Sequence, residues 1–200
     1  MLQSHVPELA GELAAKLCER AGGRISKVFF AYSGSEGLEA AIKLARATTK
    51  RTALLSAAKA FHGLTCGALS LMDEPFWKDG FRPMLAQTET VAFGDLAGLE
   101  KKLATRQFAA FCRWDPDKIV LAKALSGGLI PVSAMLMTDK IYESVFTSWK
   151  RSIVQTSTFS ENGMSTRAGL ATLGVLGEGR PRFGDGCLVE GAVVGGVVGL

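Results

Sequence analysis

The 200-residue chain has no run of five or six like charges, and its 23 basic residues exceed its 19 acidic ones by only four. A small excess spread along the sequence reads as a solvated surface. It argues against nucleic-acid or anionic-membrane binding. Histidine is scarce: His5 and His62 are far apart, and the four cysteines (Cys18, Cys66, Cys112, Cys187) are isolated, with no C-x-x-C pair. That pattern excludes a zinc site and suits thiols that stay reduced in a cytosol. The stretch Met1-Leu2-Gln3-Ser4-His5 lacks the basic and apolar regions of a signal peptide. No apolar run has the length of a membrane span. The expectation is therefore a cytoplasmic protein with no membrane and no nucleic-acid partner.

A globular α/β pattern remains. With 48% hydrophobic and 21% charged residues, the chain can bury a core. Pro7 at a first helical position, leucines at 9, 13 and 17 and the stop Gly22-Gly23 predict a helix over 6–21. Short apolar runs at 28–31, 52–58, 108–111, 118–122 and 132–137 predict strands. Helical spacing predicts helices over 36–48, 96–105, 139–146 and 163–176. Leu96, Leu99 and Leu103 form the apolar stripe of the helix over 96–105, and residues 63–90 are mixed. Strands alternating with helices predict a three-layer α/β sandwich with a mostly parallel sheet. From 177 to 200 glycine recurs so often that neither period survives, and a disordered tail is expected.

Four motifs carry candidate chemistry. Ser33-Gly34-Ser35-Glu36-Gly37 joins a strand to a helix, where free N–H groups and the helix dipole suit a phosphate. The same residues also suit plain helix capping by Ser33 or Ser35 with Glu36 or Glu39. Neither the nucleotide P-loop nor G-x-G-x-x-G is present. Phe61-His62-Gly63 follows a strand, at the sheet edge where a planar ligand could stack on Phe61; a core Phe beside a surface His is the plainer account. Lys123 ends an apolar strand at the mouth of Ser126-Gly127-Gly128. A partly buried lysine there would be a nucleophilic amine of the Schiff-base kind, or else a strand-end lysine reaching for water. The hydroxyl cluster Thr156-Ser157-Thr158 could bind phosphate or satisfy its own loop.

Taken in order, the four resemble class III aminotransferases, closest to the ornithine and acetylornithine branch or relatives acting on amine-bearing lipids. The likeness rests on Tyr32 to Gly37 with Glu39 to Arg46, on Phe61-His62-Gly63, on Lys123 to Gly128 and on Ser157-Thr158-Phe159, within residues 5–176. It implies the large domain of a fold-type-I transferase and pyridoxal 5'-phosphate as cofactor. Ser33, Gly34 and Ser35 would hold its phosphate, Phe61 would stack on its ring with His62 beside it, and Lys123 would bond it covalently and carry the catalytic proton. Thr158 would reach the phosphate bound by the other subunit of a homodimer. The implied reaction moves an amino group from an amino acid or terminal amine to a 2-oxo acid by a ping-pong route, the cofactor acting as electron sink.

The resemblance also breaks in places. The family follows the strand at Phe111 with a Glu-Pro segment, a helix and a strand ending in Asp-Glu-Val, whose Asp pairs with the ring nitrogen. Here Cys112-Arg113-Trp114 leads directly to Asp115-Pro116-Asp117. This implies an internal deletion near 112–114 and a weakened electron sink. Asp115 and Asp117 precede the lysine strand, so a strand of about six residues sets them roughly 20 Å from the ring. Residues 1–176 thus read as a partial, truncated large domain without the family's N-terminal segment and small domain. Residues 177–200, resembling nothing in the family, read as a shifted frame. The alternative to a working transaminase is a non-catalytic remnant that at most binds the cofactor.

Overall fold

The computed structural model describes residues 7–111, 117–176 and 195–196. Helix α1 (Glu8–Ala21) leads into strand β1 (Ile25–Ala31), helix α2 (Gly34–Thr49) and strand β2 (Ala53–Ala57). Two short helices, α3 (Cys66–Ser70) and α4 (Pro75–Lys78), precede β3 (Thr88–Val91), α5 (Leu96–Thr105) and β4 (Phe108–Phe111). Then come β5 (Lys118–Leu121), a 3-10 turn over Lys123–Ser126, β6 (Ser133–Thr138), α6 (Asp139–Val145), α7 (Gly163–Leu176) and the two-residue β7 (Gly195–Gly196). No helix among the described residues is long and apolar enough to cross a membrane.

The strands form two sheets, ordered β1-β6-β5-β7 and β3-β2-β4. Pairing is parallel throughout the second sheet. In the first, β6 runs opposite to both β1 and β5, with Phe30 facing Ala134 across one ladder and Val120 facing Met135 across the other. Apolar runs buried on both faces look alike in parallel and antiparallel pairs, which is why the reversed strand leaves no mark in the sequence. The break between the sheets falls between β4 and β5, the strands that flank residues 112–116. That segment, with Asp115 and most of the inferred deletion point, lies outside the described residues. So does the tail, apart from Gly195–Gly196, which pair with Val120 and Ile119.

Three cores hold the layers together. Alternate residues of β5 and β6 point to opposite faces, as the two-residue period requires. Ile119, Leu121, Ala134 and Leu136 pack with Leu13 and Leu17 of α1 and Leu173 of α7. Val120, Met135 and Met137 pack with Leu38, Ala41 and Ala45 of α2. That second core also takes in Leu54 of β2 and Ala109 and Ala110 of β4, so α2 lies over both sheets. The third core sets Leu99 and Leu103 of α5 against Ala53, Leu55, Val91 and Phe108. Leu96 departs from its expected place in the stripe: it is 72% exposed in the first turn of α5. There Asp95 caps the helix by accepting a hydrogen bond from the Gly98 N–H.

Lys118 is the costly residue of this arrangement. It is fully buried in β5, and its Nζ has no hydrogen-bond partner among the described residues. Burial pushes its pKa down to about 8, partly countered by the nearby Asp117 carboxylate. Asp117 itself pairs with Arg24 at 3.0 Å. The unfolded chain binds the Lys118 proton more tightly than the folded one. The penalty is therefore complete below pH 8, shrinks between about pH 8 and 10.5, and vanishes above that. Lys118→Met should stabilise the chain at pH 7 by on the order of 3 kcal/mol and should flatten its stability between pH 8 and 10.5. Urea titrations of both chains across that range measure the effect.

Candidate active site

The first wall of the site is the start of α2. Ser33 is extended (φ −139°, ψ 158°) and caps the helix, its Oγ accepting from the Glu36 N–H at 3.2 Å. The Glu36 carboxylate reaches back to accept from the Tyr32 N–H at 2.8 Å. Capping and a phosphate cradle do not exclude each other: these bonds fix the loop and leave the helix terminus facing the cavity. Two close approaches hold that terminus down. A Cβ on Gly37 would lie 2.9 Å from the Val120 Cγ1, so only glycine lets α2 settle on β5 there. Ser133 Oγ donates to the Ser33 carbonyl at 2.7 Å, pinning β6 to the cap.

The segment after β2 forms the second wall. Gly63 has φ +117°, and any side chain on it would run into Ser35. The Leu64 N–H donates to Ser35 Oγ at 3.3 Å, which leaves the Ser35 hydroxyl proton free to point at a ligand. Phe61 is 43% exposed and presents its ring to the cavity. His62 turns inward: its Nε2 is buried without a hydrogen-bond partner, and burial pulls its pKa below the usual 6.5. It is thus not the surface histidine of the plainer account.

The third wall is the end of β5 and its glycine turn. Lys123 opens the 3-10 turn with φ 54°, a left-handed conformation that a β-carbon disfavours. Ser126 closes the turn, donating to the Ile130 carbonyl at 2.5 Å and accepting from the Ile130 N–H. The sequence suggests a partly buried lysine; the structure corrects this, since Lys123 is exposed. Its strand ends at Leu121, and the strained turn that Ala122 leads into lifts it out of the core. Its Nζ rests 5.8 Å from the centroid of the Phe61 ring. Tyr32 lines the cavity beside it and accepts a hydrogen bond on its hydroxyl from Asn162 at 3.2 Å.

These walls enclose a cavity of about 730 Å³ lined by Ser33, Gly34, Ser35, Phe61, His62 and Lys123, among others. Six of the seven candidate residues read from the sequence therefore meet in one place. Thr158 does not: it is exposed and lies outside the lining. The role inferred for it lies across a subunit boundary, which a single chain does not display. Tyr32 and the wall from Gly127 to Val132 were not singled out as site residues by the sequence. The flanking glycines were the available signal for that wall.

The residues suit pyridoxal phosphate. A helix terminus and a free hydroxyl proton face one end of the cavity, an exposed aromatic ring one side, and a primary amine the other. His62 lines the cavity beside Phe61, while its Nε2 is turned away from solvent. No carboxylate lines the cavity among the described residues.

Two measurements follow from this geometry. Lys123→Gly should be more stable than Lys123→Ala by about 1 kcal/mol, because glycine alone relieves the left-handed turn; denaturant midpoints compare them. For His62 the folded chain resists a proton that the unfolded chain accepts below pH 6.5. Its contribution to stability is thus intact above pH 6.5 and falls as the pH drops toward the lowered folded value. His62→Gln should remove that part of the acid slope in melts between pH 7 and pH 5.

Comparison with known proteins identifies the family. The model of the family described as aminotransferase class-III matches residues 1–113. The aminotransferase PigE of a Serratia species is 27% identical over 221 positions, covering 84% of this chain and 26% of the relative. An acetylornithine aminotransferase of Methanopyrus kandleri is 30% identical, covering 68% of this chain and 48% of its own. The chain thus spans half or less of the length of these relatives. Among solved structures, an amine transaminase from an uncultivated Pseudomonas species in its PLP-bound form superposes with a TM-score of 0.77. It is 18% identical, covering 88% of this chain and 58% of that one. The fold is that of fold-type-I transaminases, the family's cofactor is pyridoxal 5'-phosphate, and this chain belongs to the class III aminotransferases.

Proposed function

We propose that the chain binds pyridoxal 5'-phosphate in this cavity and transfers an amino group from an amino acid or terminal amine to a 2-oxo acid. The observation that carries the reading is the meeting of Ser33–Ser35, Phe61, His62 and Lys123 from three distant segments around one cavity. The N-terminus of α2 and the Ser35 hydroxyl would hold the phosphate, and the Phe61 face would take the ring, with His62 beside it. The Lys123 amine would bond the cofactor covalently and then carry the proton at the substrate α-carbon. The cofactor supplies an electron-withdrawing ring that stabilises negative charge at that carbon. The resemblance also carries a homodimer, in which Thr158 would serve the other copy's site.

A second reading, a remnant that binds cofactor without turnover, is favoured by the cavity lining. No carboxylate there can keep the ring nitrogen protonated among the described residues. The PigE match supports the same view. It extends over 221 positions, more than this chain has residues, so the alignment holds gaps where the relative has sequence that this chain lacks.

Mixing the purified chain with pyridoxal phosphate, reducing with borohydride and mapping the peptides tests the binding that both readings share. Expected are a visible absorption band and label confined to Lys123, both lost in Lys123→Ala. Label scattered over surface lysines would overturn the site. Half-transamination with an ornithine-like donor then separates the readings: bleaching of the band supports a transaminase, and a band that persists supports the remnant.

A further inference from the structure

The ring offered by Phe61 has no scaffold of its own. Phe61 sits on irregular backbone between Lys59, with φ 60°, and Gly63. It is 43% exposed and belongs to none of the three cores. A ring so placed would sample several rotamers, each presenting a different plane. One contact restrains it. Trp77, half-buried in α4, meets it edge to face, with centroids 5.6 Å apart and planes at 75°. Trp77 is braced in turn by Phe76 at 5.0 Å and 79°. The Lys123 amine rests on the Phe61 ring at 5.8 Å, within reach of a cation–π attraction.

We propose that Trp77 is a positioning residue that sets the plane of Phe61, the plane on which the Lys123 ammonium rests and which the ring would offer to the cofactor. The proposal rests on the site reading above. Edge-to-face pairs favour one orientation over its alternatives by up to about tenfold, enough to turn a mobile ring into a prepared surface. The amine is thereby held beside the seat that the cofactor would take. Trp77 is not among the residues that line the cavity, so its influence passes through Phe61.

The full chain, labelled with ¹³C at the lysine Cε, tests this without cofactor. Two lysine resonances should be shifted upfield by ring currents, that of Lys123 and that of Lys27, whose amine lies 5.6 Å from the Tyr142 centroid, and only the first should disappear in Lys123→Arg. Phe61→Leu should abolish the Lys123 shift, Trp77→Leu should at least halve it, and Trp77→Phe should restore most of it. A Trp77→Leu chain with an unchanged Lys123 resonance, or a wild-type chain whose Lys123 resonance is not shifted, would overturn the proposal. If Trp77→Leu does not fold, Phe76→Ala decides: Phe76 is 77% exposed, so its loss spares the core but unbraces Trp77, and an unchanged resonance there would equally overturn it. Pyridoxal phosphate titrations separate the two claims. Binding several-fold weaker in Trp77→Leu, rescued in Trp77→Phe, supports the positioning role. Failure of the wild-type chain to bind, with the resonance still dependent on Trp77, would remove the functional reading and leave the positioning intact. Equal binding by wild type and Trp77→Leu would do the reverse.

Discussion

Helix α2 is the constraint on which the other parts depend. The two sheets are hydrogen-bonded separately, and what joins them is the face of α2 bearing Leu38, Ala41 and Ala45, laid on Ala109 and Ala110 of one sheet and on Val120, Met135 and Met137 of the other. Four of the helix's buried residues are no larger than alanine, which lets the backbone come close to both sheets. Larger side chains would lift it off one or the other. In most α/β domains the ladder between strands carries that load and helices cover it; here a helix carries part of it.

The same helix supplies the chemistry. Its N-terminus must lie tight against β5 for Gly34 and Ser35 to face the end of the strand that delivers Lys123. The glycine at 37 and the bond from Ser133 to Ser33 hold it there. Packing and function therefore draw on one set of close contacts. Movement of α2 relative to β5 would open the core and spread the cavity together. The second wall hangs on the helix as well, since Gly63 is pressed against Ser35.

Much of this was legible in the sequence, because it rests on local rules. Apolar runs marked the strands, leucine spacing marked α1, and the Ser-Gly-Ser turn announced both a cap and a cradle. The rest depends on contacts that no local rule encodes. Strand β3 was hidden in a mixed region because it is half polar: Glu89 is held by Lys102 at 2.7 Å and Arg106 at 3.1 Å from the helix beside it. The reversal of β6 leaves the alternation of its side chains unchanged. Lys118 reads as the polar end of a strand but lies wholly inside. The exposure of Lys123 follows from a left-handed turn that its residue type disfavours. The Trp77 contact links a short helix to a loop sixteen residues earlier, a distance that no periodicity spans.

Lys118 has one more consequence. The uncharged amine is the form that reacts with acylating and carbamylating agents, and the Lys118 amine, its pKa lowered to about 8, is sealed from solvent while the fold is closed. Each opening that exposes β5 would present it to reagent, and a bulky adduct, once formed, could not be repacked beside the α2 core. The residue therefore acts as a recorder of breathing in the central sheet. Its covalent history would count openings that equilibrium measurements average away, and in an ageing sample it would turn transient exposure into permanent loss of the fold.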